Sequence, residues 1–287
     1  MTKQNILVQL DTDPQTSVFD SVVAIDAGVQ HLLRHGGITA ENVRERVHGA
    51  IFTRGPDELK HTALFVGGSD VTAGEAVLEQ ICGTFFGPMR VSVMLDSNGA
   101  NTTAAAAVLS ASWHLNLAET EALVLAATGS VGQRVVRLLA LEGAVVRVAS
   151  RSAQRAQAVC DAVIARLPEA RLIPCAVSNE TEAAAALQDM QLVVSAGAPG
   201  VQLLSAPARE ASTALRVAID LNAVPPLGLE GVSMTDRAKD LRGVHCYGAI
   251  GVGGTKMKIH KAAVRRLFET NDQVFDAEEL FQLARSL

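Results

Sequence analysis

The chain has 287 residues, of which 48% are hydrophobic, 19% charged and 3% aromatic, and its net charge is −5. This length exceeds one typical domain, so two domains with packed cores are expected and disorder is not. The negative charge and the absence of long runs of like charge argue against nucleic acid as a partner. No apolar run approaches about 18 residues, and the four cysteines form no Cys-x-x-Cys pair. We therefore expect a cytoplasmic protein with no membrane span and no metal site.

Short β-rich apolar runs alternate with longer Ala- and Leu-rich stretches, which is typical of parallel βαβ construction. In the first part, the pattern predicts strands at 6–10, 62–66 and 91–95 and helices at 18–33, 72–82 and 101–112. These elements indicate an N-terminal α/β substrate domain over residues 1–115.

A second series predicts strands at 122–127, 144–149, 172–176, 192–195, 216–220 and 244–247. Helical stretches separate most of these strands, so residues 116–256 are predicted to form a Rossmann-type domain with a doubly wound parallel sheet. The polar segment 113–120 is the candidate linker. Residues 257–287 are predicted to be helical, without a strand, and to return to the first domain.

The turn after the first strand of this second series carries the most informative motif. It reads Thr128, Gly129, Ser130, Val131 and Gly132 and leads into a helix. In a dinucleotide-binding turn, the second glycine lets the pyrophosphate approach the backbone and the third lets the helix pack on the sheet. Ala127 stands at the place of the first glycine. The alternative is an ordinary βα turn whose glycines serve packing.

The residues after the second strand of the series indicate which dinucleotide binds. An NAD-binding domain would offer a carboxylate there to the ribose hydroxyls. This chain instead has Ser150 and Arg151, with Arg155 one turn later. A guanidinium and hydroxyl groups suit a 2′-phosphate, so NADP is predicted in preference to NAD. The alternative for both arginines is a solvated surface cation.

Two later loops also follow strands of the same predicted sheet, at 195–200 and 220–228. Open α/β sheets bind ligands at the carboxyl ends of their strands. Gly197 and Ala198 would leave room for the nicotinamide ribose, and Asn222 would offer its amide to the carboxamide. Ala196 is a further predicted cofactor-binding residue. The alternative is that both loops are plain turns rich in glycine and proline.

Three polar clusters, at 16–20, 96–103 and 251–260, have no evident folding role. Together with further motifs they make nearly the whole chain resemble the NAD(P)-dependent methylene-tetrahydromethanopterin dehydrogenases of methylotrophic and related bacteria. The motifs are Ser17-Val-Phe-Asp20, Ile51-Phe-Thr-Arg54, Phe65-Val-Gly-Gly68, Phe85-Phe-Gly-Pro88, Asp96-Ser-Asn-Gly99, Asn101-Thr-Thr103, Pro225-Pro-Leu-Gly228, Gly253-Gly254 with Lys256, and Val274-Phe-Asp-Ala-Glu-Glu279.

The resemblance implies hydride transfer from the methylene carbon of a reduced pterin to NADP⁺ in one-carbon metabolism. Some members of the family also accept methylene-tetrahydrofolate, and the assembly associated with it is a homotrimer. It further implies an N-terminal α/β domain, a Rossmann domain and a C-terminal helix that returns to the first domain. Ala127 departs from the glycine expected there, which puts the affinity for the cofactor in question.

The chemistry of this reaction restricts what the catalytic residues must do. The methylene carbon lies between two nitrogens whose lone pairs expel hydride directly, so no general base is required. Catalysis then consists of holding this carbon about 3 to 3.5 Å from the nicotinamide and excluding water. A carboxylate near the developing positive charge would help. Asp20 and Asp96 are the candidates, with helix capping or turn bonding as the alternative.

Lys256 and several polar residues complete the predicted site. Because an ammonium beside the developing cation would oppose the reaction, Lys256 is expected to grip the pterin carbonyl away from the reacting carbon or to order the pocket. It could also be a surface lysine on a glycine-rich loop. The candidates for contact with the pterin are Asn98, Thr102, Thr103 and His260. Thr102 and Thr103 could instead cap a helix, and His260 could be packed or exposed.

Two other functions fit parts of the sequence. One is a different NADP-linked two-domain oxidoreductase, similar to shikimate dehydrogenases, which use a Lys–Asp pair for proton transfer; Lys256 lies on the wrong side of the Rossmann domain for that pattern. The other is a sensing or regulatory protein that binds NADP without turnover.

Overall fold

The computed structural model describes residues 3–287, which fall into two compact units. Unit 1 contains the chain up to Thr102 together with Met257–Leu287, and unit 2 contains Thr103–Lys256. The chain therefore leaves unit 1 inside a helix, before the predicted linker at 113–120, and re-enters unit 1 inside another helix.

The helices and strands follow one another as an α/β chain. Up to the first crossing they are β1 (Ile6–Asp11), α1 (Val18–Asp26), β2 (His31–His35), α2 (Arg44–Ile51), β3 (Thr62–Gly67), α3 (Val71–Thr84), β4 (Ser92–Leu95) and α4 (Ala100–Ser112). Next come β5 (Glu121–Leu125), α5 (Ser130–Leu141), β6 (Val145–Ser150), α6 (Ala153–Ile164), β7 (Arg171–Ala176), α7 (Glu180–Leu187), β8 (Leu192–Ser195), α8 (Ala206–Ala211), β9 (Val217–Asp220), β10 (Lys239–Leu241) and β11 (Val244–Tyr247). The last elements are α9 (Ala249–Arg266), β12 (Val274–Phe275) and α10 (Ala277–Arg285).

Unit 1 is built on a parallel sheet with the strand order β12-β4-β3-β1-β2. The central strand β3 is buried along its whole length, as expected for a parallel sheet covered on both faces. One face packs on α2 and α3 through a cluster that includes Val8, Val47 and Ile81. All strands run the same way, so their carboxyl ends lie along one edge.

Unit 2 has a seven-stranded sheet in the order β10-β11-β9-β8-β5-β6-β7. The strands from β7 to β11 in this order are parallel. The chain adds β6 and β7 on one side of β5 and then adds β8, β9 and β11 on the other, so the direction of winding changes between β5 and β8. This is the strand order of a Rossmann sheet, in which ligands bind at the point of reversal. Only β10 is antiparallel, pairing with β11.

The predicted fold class, α/β with a Rossmann-type domain, is confirmed, and the predicted strands all occur. The helix predicted at 18–33 is wrong in its second half. It ends at Asp26, Gly28 has a φ of +96°, and the apolar residues that follow belong to the edge strand β2. The helix α2 was not predicted, and the tail contains the short strand β12, which pairs with β4.

The glycine-rich segment 251–256 also differs from its prediction as a loop. It lies inside α9, which begins at Ala249. Close packing explains one of its glycines, since a Cβ atom at Gly251 would lie 1.9 Å from the carbonyl oxygen of Asp236. Tight packing at the start of α9 therefore accounts for Gly251.

Within residues 3–287, none of the helices combines the length and apolar character needed to cross a membrane.

Candidate cofactor and substrate sites

The turn between β5 and α5 has the geometry of a phosphate-binding turn. A Cβ atom at Gly132 would lie 2.8 Å from Ala127 Cα and 2.9 Å from the Ala126 carbonyl oxygen, so only glycine allows this approach of helix to strand. At Gly129 the nearest atoms to such a Cβ are 3.7 Å away. The two glycines therefore do different work, since Gly132 permits packing while Gly129 leaves the backbone uncovered.

The residue in the left-handed region is Ala126, with a φ of +54°, and not Ala127. Ala127 is buried, and its N–H donates to the carbonyl of Ala149 at 2.9 Å. The sharp turn that a glycine usually makes thus falls on Ala126, one residue earlier than the motif suggests. Alanine adopts this conformation at a cost that glycine would avoid.

The first turn of α5 offers backbone N–H groups to a ligand. Its N-cap is Gly129, and no side chain caps the helix. The first N–H groups of a helix lack partners within the helix, and the helix dipole favours an anion beside them. Ser130 and Val131 lie in this turn. These features fit a pyrophosphate, which the residues of this turn would hold through backbone N–H groups.

A cavity of about 190 Å³ opens beside this turn, within unit 2. It is lined by Leu125, Ala126, Thr128, Ala149, Ser150, Arg151, Ser152, Arg155, Val177, Gly197, Ala198, Val201 and Leu203. Five of the eleven predicted cofactor residues therefore line this cavity: Thr128, Ser150, Arg151, Arg155 and Gly197. Arg151 and Arg155 are exposed, so both guanidinium groups are accessible to an anion.

The segment after β6 holds these arginines in place. Ser152 caps α6, and its hydroxyl accepts from the Arg155 N–H at 3.4 Å. The Ser150 hydroxyl accepts from the Ser152 N–H at 3.3 Å, so it supports the turn. The hydroxyls of Ser150 and Ser152 and the guanidinium groups of Arg151 and Arg155 lie at the carboxyl end of the second Rossmann strand. Such groups suit a phosphomonoester, because they hydrogen-bond and attract its negative oxygens.

A neighbouring cavity of about 210 Å³ shares Arg151 and extends toward the start of α7. Sequence reasoning missed its residues Val177, Ser178 and Asn179, and the wall residues Val201 and Leu203. Val177, Ser178 and Asn179 follow the end of β7, so their position after a parallel strand was the signal that could have found them. Nothing in the sequence pattern around Val201 or Leu203 distinguishes them from other loop residues.

Two predicted loops are placed differently with respect to this cavity. Gly197 lines it, and Ala196 donates its N–H to Leu125 at 3.1 Å, which places both at the switch point between β5 and β8. Asn222 is buried, and its side-chain amide bonds within its own loop. The amide nitrogen donates to the Pro226 carbonyl at 3.2 Å, and the amide oxygen accepts from the Val224 N–H at 2.9 Å. The structure therefore supports a loop-ordering role for Asn222, and its predicted contact with the carboxamide stays a prediction.

Asp220, at the end of β9, organises the same loop. Its carboxylate accepts from the backbone N–H groups of Asn222 at 3.1 Å and Leu229 at 3.0 Å. Burial raises the pKa of this carboxyl above its ordinary value, although the two N–H groups act in the opposite direction. Gly228 is required here, because a Cβ atom would lie 2.7 Å from the Asp220 carboxylate.

In unit 1, polar groups gather at the carboxyl edge of β1, β3 and β4. Asp11 ends β1 and is buried, with its oxygens accepting from the N–H groups of Asp13 and Ser17. Asp20 lies in the first turn of α1 and is half-buried. Its Oδ2 atom is 3.6 Å from the point that a Cβ atom at Gly67 would occupy. The Asp20 carboxylate therefore lies at the end of β3.

Asp96 is fully buried, and its neighbours occupy its oxygens. One oxygen accepts from the Thr102 N–H at 3.0 Å, and the other accepts from the Thr102 hydroxyl at 2.6 Å. His260 Nδ1 lies 3.5 Å from the same second oxygen, and its ring stacks on Phe65. These contacts favour the capping alternative for Asp96 and Thr102 and a packed position for His260. Direct contact of these three side chains with a substrate stays a prediction that the geometry does not favour.

Asn98 is presented differently from its neighbours. It is exposed and has a φ of +54°, a conformation that non-glycine residues rarely adopt. Its N–H donates to the Gly68 carbonyl at 2.6 Å, which fixes the turn across β3 and β4. Such strain at a surface turn often accompanies a binding role. Thr103 is half-buried in α4, on the unit 2 side of the crossing.

Lys256 is half-buried within α9, one helical turn before His260. Gly253 and Gly254 precede it, and no atom lies within 4 Å of a Cβ built at either. Packing therefore gives no reason for these two glycines within the described chain. Glycine inside a helix is less favourable than alanine, so their presence is consistent with room for a ligand near Lys256.

Among residues 3–287, no three His, Cys, Asp or Glu side chains are grouped so that they could hold a metal ion.

Two family models match the two parts of the chain. Residues 18–98 match the N-terminal domain of methylene-tetrahydromethanopterin dehydrogenase. Residues 122–211 match the NADP-binding domain of saccharopine dehydrogenase. The second match begins on β5 and includes the cavity residues around Arg151, so unit 2 is an NADP-binding domain.

Relatives and solved structures agree with this division. The bifunctional protein MdtA of Methylorubrum extorquens is 43% identical over 286 residues, which cover 99% of each chain. The NAD(P)-dependent methylenetetrahydromethanopterin dehydrogenase of the same organism is 29% identical over 303 residues, with 98% of each chain covered. A ligand-free 5-ketofructose reductase from a Gluconobacter strain is similar in fold, with a TM-score of 0.56, 14% identity and 99% of both chains covered. The chain therefore belongs to the NAD(P)-dependent methylene-tetrahydromethanopterin dehydrogenase family.

Proposed function

We propose that this protein oxidises methylene-tetrahydromethanopterin to the methenyl form, with NADP⁺ as the hydride acceptor. The observation that carries the proposal is that one chain combines a substrate-domain match at 18–98 with a cavity where Arg151 and Arg155 suit a 2′-phosphate. One hydride, which is two electrons and a proton, leaves the methylene carbon. The resulting positive charge is shared by the two adjacent nitrogens.

The residues of unit 2 fit NADP. Backbone N–H groups of the first turn of α5 would hold its pyrophosphate, and Arg151 and Arg155 would bind its 2′-phosphate. Gly197 lies at the switch point and leaves space on the side where the nicotinamide ribose is expected. When bound, NADP⁺ supplies the electrophilic ring carbon that takes up the hydride.

In unit 1 the side chains have to bind the pterin and favour the cation that forms. Asp20 is the better candidate for electrostatic stabilisation, because its carboxylate lies at the carboxyl edge of β3 and is half-buried. Asp96 is engaged with Thr102 and His260, so we assign it to holding α4 and α9 in place. Asn98 is exposed on a strained turn and would hydrogen-bond the pterin edge. No residue is required to remove a proton from carbon.

Lys256 would bind a carbonyl oxygen of the pterin ring, at a distance from the reacting carbon. An ammonium beside the developing cation would raise the barrier, so its place is at the electron-rich end of the ring system. The open surface at Gly253 and Gly254 supports a ligand near this residue.

Methylene-tetrahydrofolate is a second substrate in this proposal. Both carriers share the imidazolidine ring in which the reaction takes place, and they differ in remote parts of the molecule.

We also propose a homotrimer located in the cytoplasm. The trimer follows from the family resemblance. The cysteines Cys82, Cys160, Cys175 and Cys246 are free thiols in the described structure, which suits a reducing compartment. Light scattering coupled to size-exclusion chromatography measures the assembly directly.

The test of the function is a spectrophotometric assay with each carrier, combined with NADP⁺ and with NAD⁺. Reduced cofactor and methenyl product are followed together. We expect turnover with methylene-tetrahydromethanopterin and a clear preference for NADP⁺. Tight NADP⁺ binding without turnover of either carrier would contradict the proposal and favour a sensing protein.

A further inference from the structure

A large cavity lies in unit 1 and takes no part in the proposed reaction. Its volume is about 570 Å³, within the range of pockets that bind small organic molecules. Ile6 and Thr62, which begin β1 and β3, line it. It therefore reaches the amino ends of the strands, whereas the polar groups around Asp20 lie at their carboxyl ends.

The floor of this cavity is apolar. Ile6 and Val8 on β1, Leu33 on β2 and Ala50 on α2 line it. Leu33 is 50% exposed, whereas Val8, its partner in register on β1, is only 7% exposed. The helix α2 thus covers β1 and leaves the face of the edge strand β2 open.

A glycine in the wall keeps this space open. Gly49 lies inside α2 and lines the cavity, and no atom lies within 4 Å of a Cβ built there. Its backbone is not in the left-handed region, so neither strain nor packing requires glycine. Because glycine is unfavourable inside a helix, this position gives up helix stability and leaves the cavity wide.

Two arginines supply positive charge at the rim. Arg54 is fixed there, with one nitrogen donating to the His61 carbonyl at 2.6 Å and another to the Gln4 carbonyl at 3.2 Å. Arg46 lies 3.3 Å from Glu45, whose side chain is 88% exposed. Glu45 also lines the cavity, but an ion pair with so exposed a partner is weak, so a bound anion would compete with Glu45 for Arg46.

We propose that this cavity binds a small organic anion with an apolar body. The apolar floor would bury the body, and the guanidinium groups of Arg46 and Arg54 would bind its carboxylate, sulfonate or phosphate group. The site is separate from the oxidoreductase function, so it stands or falls independently of the proposed reaction.

The test is fluorescence titration of the purified protein with anilinonaphthalene sulfonate, in the presence of saturating NADP⁺ to occupy the cofactor site. Gly49→Trp fills the cavity, and Gly83→Trp is its control, because Gly83 is an exposed helical glycine in α3 with equally open space. Arg46→Gln removes a rim charge. Its control is Arg44→Gln, at an exposed position of α2 outside the cavity.

We expect one saturable site in the wild type, lost in Gly49→Trp and weakened about tenfold in Arg46→Gln, as for loss of a charge-assisted hydrogen bond. Both controls should bind like the wild type. Equal binding by Gly49→Trp and Gly83→Trp would overturn the proposal. So would equally tight binding of the uncharged phenylnaphthylamine, since it would leave the arginines without a role.

Light scattering on the same variants separates a ligand site from a subunit contact. We expect Gly49→Trp and Gly83→Trp to keep the wild-type mass. A change of mass in Gly49→Trp alone would assign the cavity to a second copy of the chain and would also overturn the proposal.

Discussion

The carboxyl edges of the two sheets offer different groups to a ligand. In unit 2 the edge offers mainly backbone groups, at the turn from Ala126 to Gly132, with Arg151 at its margin. In unit 1 the edge carries the side chains Asp20, Asp96 and Asn98, and one of these is fully buried by its neighbours. A site made of backbone groups can be predicted from the spacing of its glycines. A carboxylate in the sequence predicts less, because it can serve either as a helix cap or as a ligand-binding group.

The largest expected effect breaks the backbone site of unit 2. Gly132→Leu should destabilise the protein by about 3 kcal/mol or more, because even the Cβ atom would overlap backbone atoms that cannot move aside. Urea unfolding measures this change. Gly83→Leu, in open space on α3, is the matched control and should not lower the stability. Similar stability of both variants would show that the helix can move away from β5.

Gly129→Ala separates ligand approach from packing in the same turn. No atom lies closer than 3.7 Å to its Cβ position, so the unfolding free energy should be unchanged while NADP⁺ binds more weakly. Isothermal titration calorimetry measures the binding. Unchanged affinity would mean that the pyrophosphate does not approach this residue.

In unit 1, the comparison to make is between Asp20 and Asp96. Asp20→Asn should lower kcat/KM on the order of 100-fold, as for loss of a group that stabilises the developing charge, with little change in stability. Asp96→Asn should instead lower the free energy of unfolding by about 1 to 3 kcal/mol, because its buried oxygens accept from Thr102. Steady-state kinetics and urea unfolding on both variants test the pair. The reverse pattern would place Asp96 at the reacting carbon.

Arg151→Asp changes the cofactor preference of unit 2. We expect NADP⁺ binding to weaken about 30-fold, as for loss of a charge-assisted hydrogen bond, while NAD⁺ binding changes little. Arg166→Asp, an exposed site beyond α6 with the same change in charge, is the control. Equal losses for NADP⁺ and NAD⁺ in Arg151→Asp would remove the 2′-phosphate from this position.

The smallest effect concerns pH. Burial lowers the pKa of His114, and His245, stacked on it at 4.0 Å, lowers it further. The unfolded state, with a histidine pKa of about 6.5, then binds more protons between that value and the lowered folded one. Stability should therefore fall as the pH drops below about 6.5. Urea midpoints from pH 8 to 5.5 measure the slope.

His114→Gln keeps a hydrogen-bonding side chain near Tyr247 and should reduce this slope. His61 in unit 1, whose pKa is also lowered by burial, accounts for part of the remainder. An unaltered slope in His114→Gln would exclude His114 as its source.

Much of the fold follows from the sequence, because the buried strands are continuous apolar runs. The strand β2 was missed since it is an edge strand with exposed residues and continues the apolar spacing of α1. The glycines at 251, 253 and 254 favour a loop over a helix in the sequence, whereas the structure continues α9 through them. Packing against Asp236 explains only Gly251. Asp96 and Thr102 lie six residues apart in the chain and hydrogen-bond to each other. The sequence does not reveal this bond, so it could not distinguish helix capping from substrate binding for these two residues.

The positions of Arg151 and Arg155 on one exposed turn have a wider consequence. They lie outside the buried core of the sheet, so the choice between the two pools of reducing equivalents in a cell is separable from the stability of the fold. If these arginines bind the 2′-phosphate as proposed, substitution of one surface residue changes which nicotinamide cofactor accepts the hydride, without any repacking. Dissolved salt screens exposed cations, so the preference would then weaken as the ionic strength rises.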